Sequence, residues 1–79
     1  MSAAPAPAPN AREWLGLFAG RLGVEPPTTA EFKLILELAG EAAHSSERVA
    51  APAACWLAAR AGTDLHEALR LATEVAAGG

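Results

Sequence analysis

The chain has 79 residues, 52% of them hydrophobic, and a net charge of -3. That length allows one domain with a small core, and so apolar a composition excludes a disordered chain. Six basic residues scattered among nine acidic ones make no phosphate-binding patch, and one cysteine, Cys55, makes no internal disulfide and no multi-cysteine metal site.

Residues 1–9 alternate alanine and proline. Pro5, Pro7 and Pro9 each fix φ and remove a donor, so this stretch reads as a disordered, semi-extended tail outside the folded unit. The folded domain is expected over residues 10–77. Alanine, the strongest helix former, dominates the apolar fraction, while Tyr is absent and β-branched residues are sparse, so the fold is predicted to be all-α.

The first helix is predicted from Asn10, with Glu13 in capping-box register and Gly23 as its left-handed stop. Trp14, Phe18 and Leu22 share one face, with Leu15 beside them. Pro26 and Pro27 prevent the helix from continuing. A second helix starts at Thr28 or Thr29, with Glu31 in register to Thr28. Its apolar face is Phe32, Ile35, Leu36, Ala39 and Ala43, widened by Leu34 and Leu38, and its polar stripe is Lys33, Glu37, Glu41 and His44. Gly40 lies mid-helix at a cost of about 1 kcal/mol relative to alanine, which either admits a close approach by another helix or is only a weak point.

Ser45–Ala51 is read as a connector, and the third helix is placed from Pro52, which suits a first turn. It is apolar nearly all round, so it is expected at the centre of the bundle. Gly62 ends it. Asp64, with Glu67 in capping-box spacing, starts a fourth helix with Leu65, Ala68, Leu69, Ala72 and Val75 inward and Leu71 at the margin. Glu67, Arg70 and Glu74 are spaced to pair along its outer face. Four such helices with short loops predict a compact four-helix domain.

Few groups here carry chemistry. Glu41-x-x-His44 has the spacing of a carboxylate-bridged di-iron motif, but such a centre needs two motifs and two further carboxylates, so no metal is expected. Cys55 near a helix start invites comparison with an activated thiol, yet an alanine-rich helix more commonly holds a structural one. The third and fourth helices have a helix-turn-helix order, but the candidate recognition helix offers two glutamates and one arginine, which disfavours DNA. No cofactor and no enzymatic role are expected. No apolar run approaches the roughly 20 residues of a membrane span, and the N-terminus lacks the features of a signal peptide. A cytoplasmic location is therefore expected. What remains is the polar stripe ending in Glu41, His44 and Arg48, a candidate contact point for a protein or an anion.

The same residues carry a resemblance. Trp14-Leu15, Leu22-Gly23, Ala43-His44, Arg48, Ala50-Ala51-Pro52 and the apolar helix ending at Gly62 resemble a small bacterial family of unknown function. Its members occur alone and as a C-terminal appendage of molybdenum-cofactor guanylyltransferases. Many carry proline directly after the arginine, where this chain has Val49, so the connector is expected to be more helical here. The resemblance covers residues 13–76. It implies an accessory or adaptor role in molybdenum-cofactor biosynthesis, with a guanylyltransferase or molybdoenzyme as protein partner. The alternatives are a small-ligand or anion-binding module, with His44 and Arg48 on the cofactor phosphate, and a homo-oligomerisation domain. The chain has no glycine-rich phosphate loop of its own.

Overall fold

A computed structural model describes residues 8–78. The proposed tail over residues 1–9 falls, apart from Ala8 and Pro9, outside the described residues. Four α-helices follow in order: α1 Ala11–Leu22, α2 Thr29–Ser45, α3 Ala50–Ala61 and α4 Leu65–Ala76. No strand occurs among the described residues. The all-α, four-helix fold read from the composition and periodicity is the observed one.

Local signals set most of the helix ends. At α1 the Asn10 side chain accepts from the Glu13 amide at 2.8 Å, and the Asn10 amide donates to the Glu13 carboxylate at 3.2 Å. Thr28 and Glu31 repeat this reciprocal pair at α2. Gly23 takes φ 76°, and the Val24 amide reaches back to the Ala19 carbonyl at 3.0 Å. That is a Schellman closure, which favours glycine because its left-handed conformation penalises a Cβ.

Two ends differ from the sequence reading. Helix α3 begins at Ala50 and not at Pro52. The Ala50 and Ala51 amides donate to the carbonyls of Glu47 and Arg48 at 2.9 and 3.1 Å, so a tight turn leads straight into the helix. Pro52 is then third in the helix, where its missing N–H is still one of the four that lack an intrahelical partner. Val49 is already in the right-handed helical region, with φ -65° and ψ -17°. At α4, Asp64 caps the His66 and Glu67 amides at 2.8 and 3.3 Å, but Glu67 does not close a box. Its carboxylate is taken by Arg70, with Nε to Oε2 at 3.0 Å.

The central helix is α2, against which both α3 and α4 pack. This corrects the placement of α3 at the centre. Helix α3 is apolar because it is rich in alanine, and it meets α2 through small half-buried groups, Ala51, Ala54, Cys55 and Ala58, while Trp56 and Leu57 stay exposed. Among the described residues, Leu38 at 3% exposure is the one large side chain in the buried set, beside Ala19 and Ala68. Helix α1 lies at the start of α2: Arg12, Leu15 and Gly16 share a depression with Pro26, Pro27 and Phe32. The Arg12 guanidinium sits 6.0 Å from the centre of the Phe32 ring, within cation–π range. Leu15, Gly16 and Ala19 form the side of α1 turned to the domain, and Trp14, Phe18 and Leu22 are exposed.

Candidate functional site

The polar stripe of α2 faces an open groove between α2 and α4. Leu36, Glu37, Gly40, Glu41 and His44 line it from α2, and Leu69 and Thr73 from α4; its volume is about 450 Å³. The helical repeat places Glu37, Glu41 and His44 on successive turns of one face. The flanking hydroxyls are committed to their own helices. Ser45 Oγ donates to the Glu41 carbonyl at 2.7 Å, and Thr73 Oγ1 donates to the Leu69 carbonyl at 2.9 Å. The groove therefore presents two carboxylates, one imidazole and an apolar floor in which Leu36 is 56% exposed.

Of the three expected contact residues, the structure brings Glu41 and His44 together in this groove. Arg48 lies elsewhere, exposed in the turn between α2 and α3. No ion pair holds it among the described residues. Arg48 does not line the groove.

Cys55 sits beyond the first turn of α3, half-buried, with its sulfur 4.0 Å from the Ile35 carbonyl. Burial raises its pKa, the reverse of what an activated nucleophile needs. Among the described residues no cluster of three or more metal-ligating side chains occurs. No helix there is long and apolar enough to cross a membrane.

A second groove opens between α3 and α4, over Leu38 and Ala42 of α2. Leu57, Ala58, Ala61, Leu71 and Val75 form its walls, and its volume is about 390 Å³. Apart from Ser45 and Thr63, its lining is wholly apolar. Sequence reasoning missed it. The available signal was the surplus of apolar side chains on α3 and the marginal position of Leu71, which together exceed what one contact with α2 can cover.

An all-helical domain with a polar α2–α4 groove and an apolar α3–α4 groove is the class these features define. Residues 6–79 match the family model described as a domain of unknown function, DUF6457, and the chain belongs to that family. No curated protein and no solved structure matches it.

Proposed function

We propose that this domain is a non-enzymatic accessory module of bacterial molybdenum-cofactor biosynthesis. It docks a guanylyltransferase or a molybdoenzyme through the α2–α4 groove, with Glu41 and His44 inside the groove and Arg48 contributing from the α2–α3 turn outside it. The pathway rests on the resemblance carried by Ala43-His44, Arg48 and Ala50-Ala51-Pro52, in which such domains stand alone or follow a guanylyltransferase. The docking role rests on one observation: the groove combines an exposed apolar floor at Leu36 with a rim of charged and ionisable groups. Apolar centres with polar rims are the composition of protein–protein contacts. Small-molecule sites enclose most of their ligand, and this groove is open. The reading as an anion site draws no support from the other groove either, since no charged side chain lines it.

The test is calorimetry of the purified domain with the guanylyltransferase encoded in the same genome. Wild type should bind, and the double variant His44→Ala/Arg48→Ala should bind at least tenfold more weakly with unchanged helical circular dichroism. Equal affinity for the two proteins rejects the assigned surface. No heat with either the guanylyltransferase or a molybdoenzyme, together with binding of GTP, favours the anion reading instead.

A further inference from the structure

The surface area of this chain exceeds the average for a folded monomer of its mass. A monomer of 8.0 kDa is expected to expose about 4,500 Å², and this one exposes 6230 Å². Residues 1–7 account for at most about 900 Å², the value for a fully unfolded stretch of that mass. Roughly 830 Å² of excess remains, close to the ~800 Å² that each partner contributes to a standard interface.

Among the described residues, seven of the eleven exposed large apolar side chains fall on two surfaces. One is the outer face of α1, where Trp14 is 51%, Leu17 67%, Phe18 46% and Leu22 60% exposed. These are positions i, i+3, i+4 and i+8, the anchor spacing of a helix that lies in an apolar groove. Trp14 and Phe18 stack with ring centres 5.1 Å apart, so the two largest anchors form one preformed patch. The other surface is the α3–α4 groove, with Leu57 60%, Leu71 42% and Val75 72% exposed on its walls. The chain thus carries both a helix suited to a groove and a groove suited to a helix.

Within one chain they do not meet. Helix α1 is held through Leu15 and Gly16 against Phe32 and Pro27 at the start of α2. The groove opens over Leu38 and Ala42, farther along α2. Arg21 falls by helical spacing between the Leu17 and Phe18 positions on the outer face of α1, so a substitution there alters the stripe without removing an apolar side chain. Glu74, next to Val75 on α4, is already engaged by Arg70.

We infer that a second copy of this chain covers the α3–α4 groove with the Trp14/Phe18/Leu22 stripe of its α1, reciprocally, as a two-fold dimer. Such a contact is self-complementary, so both surfaces are covered in one step. It leaves the Glu41–His44 groove free, and it holds or fails independently of any molybdenum-cofactor partner.

The experiment is sedimentation equilibrium of the full chain over a concentration series. Wild type is expected to run at twice 8.0 kDa. Phe18→Glu and Leu71→Glu each should run as monomers, their dissociation constants raised at least a hundredfold, with helical content retained because both sites are exposed. An equimolar mixture of the two variants should regain a dimer, since it keeps one intact stripe opposite one intact groove. Arg21→Glu, which removes no apolar contact, should weaken association several-fold and replaces Phe18→Glu if that variant loses helicity. A wild type that stays monomeric at the highest concentration overturns the inference. So does a dimer indifferent to these substitutions, or a mixture that remains monomeric.

Discussion

Helices α1 and α4 are each 12 residues long and each starts on a side-chain cap, yet they stand in the domain differently. Four apolar residues of α4 settle on α2, with Ala68 buried and Leu65, Leu69 and Ala72 half-buried, while Leu71 is exposed and Val75, read from the sequence as inward, is exposed too. In α1 only Ala19 is buried, and the aromatic pair faces outward. Helix α1 is fixed mainly by local devices: the Asn10–Glu13 box, the Gly23 closure, and the contact of Leu15 and Gly16 with Pro27 and Phe32. Helix α4 is fixed by its packing. An amphipathic pattern shows that a face must be covered; it does not show whether the cover belongs to the same chain.

The sharpest way to break this comparison is to remove its centre. Leu38→Ala empties the most buried large side chain and should cost about 2–5 kcal/mol. A domain of this length is stable by only about 4–12 kcal/mol, so the urea midpoint should fall steeply. Leu17→Ala, on the exposed face of α1, should change the stability of the dissociated monomer by less than about 0.5 kcal/mol. Equal losses at the two positions would mean that α1 belongs to the same core as α4.

Caps give the next largest effect. Asp64→Ala and Asn10→Ala should each remove about 1 kcal/mol. Hydrogen exchange in dilute protein should distinguish them: loss of the Asp64 cap should lower protection across α2, α3 and α4 together, whereas loss of the Asn10 cap should deprotect α1 alone. A uniform loss in both variants would merge the two regions into one cooperative unit.

These contrasts also mark what was legible in the sequence. The starts of α1, α2 and α4 and the stops at Gly23 and Gly62 were readable, because caps and left-handed glycines act within three or four residues. The helical class was readable from alanine content. Which helix is central was not, because the apolar perimeter of α3 is built from alanines whose role depends on what they approach. The likeness of Glu41 and His44 as neighbours followed from helical spacing, but Arg48 had to be seen, since it lies past the helix end in a turn whose direction no periodicity fixes. The α3–α4 groove was illegible for a similar reason. Leu57, Leu71 and Val75 lie on different elements, and their juxtaposition depends on how both helices sit on α2.

Gly40 sharpens the comparison within α2. The sequence left open a close helix approach or a mere weak point, and a Cβ placed there meets nothing within 4 Å, which favours the second. Gly40→Ala should therefore stabilise the domain by about 1 kcal/mol. The same substitution at Gly62, where φ is +68°, should destabilise it by about 1–2 kcal/mol because the left-handed turn strains a side chain. Opposite shifts in thermal midpoint check both, and a loss at Gly40 would indicate an approach by another helix in the assembled state.

The smallest effect belongs to the outer face of α4, where Arg70 bridges Glu67 and Glu74. The hydrogen bond from Arg70 lowers the pKa of Glu67; desolvation opposes the shift, and the charge of the guanidinium adds a smaller pull downward. A carboxylate whose pKa is depressed on folding adds stability above its unfolded pKa, and that contribution disappears as pH falls through the folded value. The contribution of Glu67 should therefore be complete at neutral pH and lost below the ordinary glutamate range. All three side chains are about half exposed, so solvent and salt screen the pairs. Arg70→Ala should lower the thermal midpoint slightly at pH 7 and low salt, and leave it unchanged in acid or in concentrated salt. A pH-independent loss in that variant would show that the aliphatic stem of Arg70, and not its charge, supports α4.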